Sequence, residues 1–163
     1  MTHDDLTVKR DRMRYTKDTV SSRLVLLAIV LDALYFISIY KSDVGNYFYT
    51  WVIGASIIYN LLFLLFAFLA SEGVKSRKTG YTPALIILGL LQAVRIFYLP
   101  ARAHAATVVI KGEELVVMSD RQYIFIVVCL AVSAVCCIAA AVISYINNRN
   151  LSKHMKSIEN NAA

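Results

Sequence analysis

Two charged residues, Asp32 and Arg95, stand inside long apolar runs of the sequence. Gln92 precedes Arg95 by about one helical turn, and Tyr59 and Asn60 lie inside another apolar run. A charge near the centre of a membrane helix costs about 2.5 to 3.5 kcal/mol, so such residues usually pair with one another or line a path for ions. These five residues are therefore the candidates for intramembrane chemistry.

The depths of Asp32 and Arg95 predict a contact between them. Counted from Arg23 and Pro83 at 1.5 Å per residue, Asp32 lies at roughly 13 Å and Arg95 at roughly 18 Å. Side chains lean towards the N-terminus of their helix, which directs Arg95 towards the depth of Asp32. Three interpretations remain open: an ion pair that fixes helix neighbours, an arginine that extends to the outer headgroups, and a proton or substrate-ion site.

The sequence offers little for catalysis or metal binding. Cys129, Cys136 and Cys137 lie well inside an apolar run without a CxxC pair, which favours a role as small packing residues. The histidines are scattered outside the apolar runs, and no GxSxG, HExxH, Walker A or glycine-rich dinucleotide motif occurs. We therefore expect no enzyme, no metal site and no cofactor.

The composition and the apolar runs predict an all-α integral membrane protein. Hydrophobic residues make up 58% of the 163 residues. About 20 apolar residues are needed to cross the hydrocarbon core, and four runs reach or approach that length. The predicted spans are 23–41, 48–71, 83–99 and 122–146. They leave no room for a second domain, so we expect residues 1–163 to form a single four-helix bundle.

The distribution of Lys and Arg predicts the orientation. Twelve of them flank one side of the predicted spans and four flank the other. The positive-inside rule then places both termini in the cytoplasm, with 1–22 as a basic cytoplasmic segment and 147–163 as a cytoplasmic tail. We expect a multi-pass protein of the cell (plasma) membrane. Nucleic-acid binding is disfavoured, because these basic residues flank membrane ends and do not form one basic face.

The predicted outer loop, 100–121, contains two β-rich runs. They flank Lys111, Gly112, Glu113 and Glu114 and predict a short β-hairpin on the outer face. An isolated hairpin is marginally stable in water. These four residues are therefore candidates for contact with a partner, although the hairpin could also lie on the helix ends or the headgroups.

Residue types at helical spacing also predict packing surfaces and helix ends. Ser56, Asn60, Ala67 and Ser71 form a small and polar stripe, which in lipid should face neighbouring helices. Aromatic residues around the first outer boundary, Tyr35 among them, predict an interfacial belt. Cap residues are expected at Ser21 or Ser22 for the first helix, and at Thr82, followed by Pro83, for the third.

Two functional hypotheses from different classes follow. The leading one is a non-catalytic membrane subunit or accessory protein of a larger assembly such as a transporter complex, with the lipid bilayer and other subunits, or further copies of itself, as partners. The alternative is a small self-assembling transporter or channel that uses Asp32 and Arg95 in a polar path. Function in either case depends on whether these two residues meet.

Overall fold

A computed structural model describes residues 17–41, 50–110 and 113–162, together with Asp5, Thr7 and Val8. Within this part of the chain, four long helices pack together, and each is long and apolar enough to cross a membrane. They are α1 (Thr19–Ile39), α2 (Thr50–Lys75), α3 (Tyr81–His104) and α4 (Asp120–Ala162). The prediction of an all-α bundle of four apolar helices is confirmed.

The four helices form a ring in chain order. The neighbouring pairs are α1 with α2, α2 with α3, α3 with α4, and α4 with α1, while α1 and α3 face each other across the ring. The packing is uneven, because α4 contacts both α1 and α3 extensively whereas α2 packs mainly on α1 and only sparsely on α3. Large apolar side chains cover the outside, as expected for helices surrounded by lipid.

Two apolar clusters fill the interior. The Ala28 cluster, which includes Val25, Ala28, Phe63, Leu85 and Cys137, lies towards one end of the bundle. The Leu130 cluster, which includes Tyr35, Ile39, Leu99, Ile126 and Leu130, lies towards the other. Between them the buried residues are polar: Asp32, Asn60, Gln92, Arg95 and Ser133. The bundle therefore has a polar layer between two apolar ones.

The helix ends differ from those expected from local sequence. Asp18 caps α1, because its Oδ1 accepts a 3.1 Å hydrogen bond from the Ser21 amide, so the expected cap at Ser21 or Ser22 is wrong. The N-cap of α3 is Gly80, and Thr82 lies inside the first turn. At its other end α3 runs through Pro100 to His104. The missing proline amide leaves one helical bond unmade, which a membrane helix tolerates near its end.

The last helix and the strands complete the fold. The 43-residue α4 is continuous, so 147–162 of the predicted tail extend it as a polar arm, and its total length is about 64 Å. Strands β1 (Thr107–Ile110) and β2 (Glu113–Val116) pair antiparallel. The turn predicted at Lys111 and Gly112 lies outside the described residues. The hairpin as a whole and its outer location therefore stay predictions.

Candidate functional site

The structure brings together all five intramembrane residues that the sequence suggested. Asp32 comes from α1, Tyr59 and Asn60 from α2, and Gln92 and Arg95 from α3. Asp32 and Gln92 are fully buried, Asn60 is 1% exposed and Arg95 is 7% exposed. We call these five residues, together with the polar side chains of Tyr35 and Ser133 that adjoin them, the central polar layer.

Arg95 is the centre of this layer. Its Nη1 donates to Asp32 Oδ1 at 2.8 Å and its Nη2 donates to Asn60 Oδ1 at 2.6 Å. The guanidinium carbon also lies 4.2 Å from the centroid of the Tyr35 ring and 4.9 Å from that of Tyr59, distances at which a cation is attracted to a ring face. Arg95 therefore points into the bundle, and of the three interpretations its extension to the outer headgroups does not match the structure.

Gln92 joins the fourth helix to the layer. Its Nε2 donates to Asp32 Oδ1 at 2.8 Å and, at 3.4 Å, to the Oγ of Ser133 on α4. Ser133 Oγ in turn donates to the carbonyl of Ala28 on α1 at 3.2 Å. The side-chain oxygen of Gln92, Oε1, accepts from Arg95 Nη1 at 3.4 Å. Each helix thus contributes at least one side chain, and the hydrogen bonds connect all four.

Three polar atoms beside Arg95 keep capacity for a further bond. Asp32 Oδ2, the Tyr35 hydroxyl and the Tyr59 hydroxyl are buried and have no hydrogen-bond partner among the residues that the structure describes. An acceptor and two hydroxyls therefore surround a guanidinium that is already bonded to Asp32 and Asn60. Hydrogen bonds connect the layer, but Asp32 Oδ2 still lacks a hydrogen-bond partner among the described residues.

A cleft between α2 and α3 reaches this layer from outside. Its volume is about 340 Å³. The lining is mostly apolar, and its residues with polar side-chain atoms are Ser56, Tyr59, Arg95 and Tyr98. The cleft exists because α2 packs sparsely on α3. We call it the α2/α3 cleft; its residues are Val52, Ala55, Ser56, Tyr59, Leu91, Val94, Arg95, Tyr98 and Leu99.

No protein-family model, no curated protein and no solved structure matches the chain. The interpretation of the central polar layer therefore rests on its own geometry.

Two members of the layer were not among the residues predicted from sequence. Tyr35 is fully buried against Arg95, so its assignment to an interfacial aromatic belt is wrong. It lies three residues after Asp32, and this helical spacing places both on one face of α1. Ser133 is one of several small residues in the fourth apolar run, and a serine there is also typical of close packing between membrane helices. Neither signal is specific, because the same spacings also occur in ordinary apolar packing.

The other candidate residues lie elsewhere. Glu113 and Glu114 belong to β2, where they pair with Ile110 and Val109 of β1. The cysteines are free and buried, with Cys136 and Cys137 in the Ala28 cluster and Cys129 in the Leu130 cluster. In the described part of the chain, no three His, Cys, Asp or Glu side chains converge as metal ligands.

Proposed function

We propose that the chain is a non-catalytic membrane subunit or accessory protein of a larger membrane assembly, such as a transporter complex. The observation that carries the proposal is that the charge of Arg95 is held by residues of other helices, Asp32 at 2.8 Å and Asn60 at 2.6 Å. A residue so engaged fixes helix positions. In this role the central polar layer is a lock that gives the bundle one arrangement.

The energetic reason is the cost of separating buried partners. Removing one member of a buried ion pair leaves an uncompensated charge and costs about 3 to 5 kcal/mol. The Arg95 side chain also loses its contacts with the Tyr35 and Tyr59 rings if it moves away. A transport path through the layer would require Arg95 to separate from its partners in every transport cycle. A structural subunit never requires that separation.

The α2/α3 cleft is the proposed place of contact with a partner subunit. Val94 lines it and is 64% exposed, so an apolar side chain from a neighbouring helix can enter. Helices associate in lipid through close packing and interhelical hydrogen bonds, and a concave apolar surface provides the first of these. The partner is another membrane subunit or a further copy of this chain.

We place both termini in the cytoplasm and the paired strands β1 and β2 on the outer face of the plasma membrane. The excess of Lys and Arg on one side of the helices supports this orientation. The polar arm of α4, from 147 to 162, then projects into the cytoplasm by about 24 Å. It offers a second contact region for an assembly.

Photo-crosslinking tests the subunit proposal. A photoreactive amino acid is placed at Val94, inside the cleft, or at Phe97, which is 75% exposed and does not line it. Crosslinking in cells, purification in mild detergent and mass spectrometry should recover the same protein from Val94 and little of it from Phe97. Val94→Trp should reduce co-purification of that protein. Recovery of a monomer with only lipid adducts at both positions contradicts the proposal.

The alternative function is a small self-assembling transporter or channel. Its specific support is that the α2/α3 cleft ends at Arg95 and that Asp32 Oδ2 has no hydrogen-bond partner among the described residues. An anionic substrate suits an arginine. Liposomes containing only this chain should then show anion flux, and Asp32→Asn should abolish the flux while the protein stays folded. Liposomes without flux favour the subunit proposal.

A further inference from the structure

A second cavity lies where α3 begins and the arm of α4 leaves the bundle. Its volume is about 800 Å³, and it is separate from the central polar layer. Polar and basic side chains from both helices and from the preceding turn surround it. We call it the basic pocket; these side chains are Thr79, Thr82, Asn148, Arg149, Ser152, Lys153 and Lys156.

The charge of the basic pocket has one sign. Arg149, Lys153 and Lys156 recur at spacings of four and three, which places them on one face of α4. All three are exposed, and no Asp or Glu is among the residues that line the cavity. The first turn of α3 faces the same cavity, and the N-terminal end of a helix carries a partial positive charge. The pocket therefore attracts an anion.

Two side-chain contacts hold the helices that form the wall of the pocket in place. Thr82 Oγ1 lies 3.4 Å from Ser144 Oγ, which joins the start of α3 to α4. Asn147 Nδ2 donates at 3.0 Å to Asp18 Oδ2, which joins the same part of α4 to the cap of α1. The basic residues thus project from a helix whose position relative to α3 is fixed.

Asn148 is an independent indication that the pocket binds a ligand with hydrogen-bond acceptors. Its Nδ2 is buried and has no hydrogen-bond acceptor among the described residues, although Asn148 lines the cavity. A buried amide donor that lacks an acceptor costs free energy, so a rotation of the Asn148 side chain that brings Nδ2 to a phosphate oxygen in the cavity would be favourable. The amides of Tyr81 and Thr82 already donate to carbonyls of the preceding turn, so α3 contributes its dipole rather than these two donors.

The position of the pocket indicates that the bound phosphate belongs to a lipid. The remaining wall consists of Pro83, Ile86 and Tyr145, and Ile86 and Tyr145 are exposed. The apolar part of α4 ends at Ile146, three residues before Arg149. The cavity thus lies at the boundary where headgroups meet acyl chains. Basic pockets between membrane helices at this level bind anionic headgroups.

We propose that the basic pocket binds the phosphate of an anionic phospholipid, with Arg149, Lys153 and Lys156 contacting the headgroup, Asn148 donating to a phosphate oxygen, and Ile86 lying against an acyl chain. The proposal does not depend on the subunit role or on the transporter alternative. It concerns how the chain recognises its surrounding membrane.

Paired variants with matched controls test this binding. Lipid retention is measured by native mass spectrometry on the purified full chain with phosphatidylglycerol and with phosphatidylcholine. Replacing Arg149, Lys153 and Lys156 by Gln should weaken phosphatidylglycerol binding roughly a hundredfold, at about fivefold per basic residue. The control replaces the exposed Lys17, Arg23 and Lys78 by Gln and should change binding far less. Equal losses in the two triple variants overturn the proposal, because binding then depends on general charge.

A single substitution tests the pocket itself. Asn148→Asp removes the unpartnered donor and adds a negative charge inside the pocket, whereas Asn150→Asp makes the same change at an exposed position that does not line it. Only Asn148→Asp should weaken phosphatidylglycerol binding, by about tenfold. Unchanged melting temperatures in phosphatidylcholine show that both variants fold. Competition by inorganic phosphate or glycerol phosphate as effective as that by the lipid would overturn the lipid assignment, as would equal affinity for the two lipids.

Discussion

Arg95 and Asp32 meet across the diagonal of the bundle, with Nη1 and Oδ1 2.8 Å apart. Their helices, α3 and α1, are not neighbours in the ring, so the long arginine side chain and Gln92 bridge the centre. A contact of this kind depends on the positions of two opposite helices at once. It therefore couples the whole bundle rather than a single helix pair.

The first prediction concerns this ion pair. Asp32→Leu and Arg95→Met each leave one buried charge without its partner and should lower the free energy of unfolding in detergent by about 3 to 5 kcal/mol. The double variant should recover much of the loss, because apolar residues often replace a buried pair at little cost. Lys75→Ala, which removes the exposed contact with Glu72, should change stability by less than about 1 kcal/mol. If the losses of the two single variants simply add in the double variant, the proposal that Asp32 and Arg95 stabilise the bundle as a pair is contradicted.

The second prediction separates the Tyr35 ring from its hydroxyl. The ring lies 4.2 Å from the Arg95 guanidinium carbon, while the hydroxyl has no hydrogen-bond partner among the described residues. Tyr35→Phe keeps the ring and should leave the melting temperature unchanged or slightly higher. Tyr35→Ala opens a cavity beside the arginine and should cost about 3 to 5 kcal/mol. A large loss in Tyr35→Phe shows instead that the hydroxyl has a bonding role.

The third prediction uses two glycines with different surroundings. A Cβ added at Gly89 of α3 lies 2.8 Å from Ile138 Cγ1 and 3.1 Å from the carbonyl oxygen of Ala134, whereas one added at Gly54 meets nothing within 4 Å. Gly89→Ala should separate α3 from α4 and destabilise the protein by about 1 to 3 kcal/mol. Gly54→Ala should be neutral or stabilising by up to about 1 kcal/mol. Thermal unfolding of both variants checks this, and equal effects contradict close packing at Gly89.

The fourth prediction tests the proposed orientation. Lys41→Cys and Lys78→Cys place exposed thiols at opposite ends of the helices. A membrane-impermeant maleimide should label Cys at position 41 in intact cells, and should label position 78 only after the membrane is permeabilised. The buried native cysteines give little background. Labelling with the opposite dependence reverses the assigned sides.

Part of the candidate site followed from sequence alone. Asp32 and Arg95 were recognisable because charges are costly inside apolar runs, and Gln92 because it shares a helical face with Arg95. The inward position of Tyr35 and the participation of Ser133 depend on which face of each helix meets its neighbours. Local spacing does not specify that rotation, because apolar side chains cover most faces of these helices.

The sequence by itself determined the four apolar helices, because length and hydropathy are properties of each segment and the backbone must satisfy its own hydrogen bonds in lipid. Only the tertiary structure decided that α1 and α3 lie opposite each other, that Asp18 caps α1, and that Thr82 meets Ser144 beside the basic pocket. Some of these contacts join residues that are far apart in the chain. The cap of α1 instead depends on which of several neighbouring polar residues lies at the start of the helix. Their outcome depends on how the helices pack, which no single segment contains.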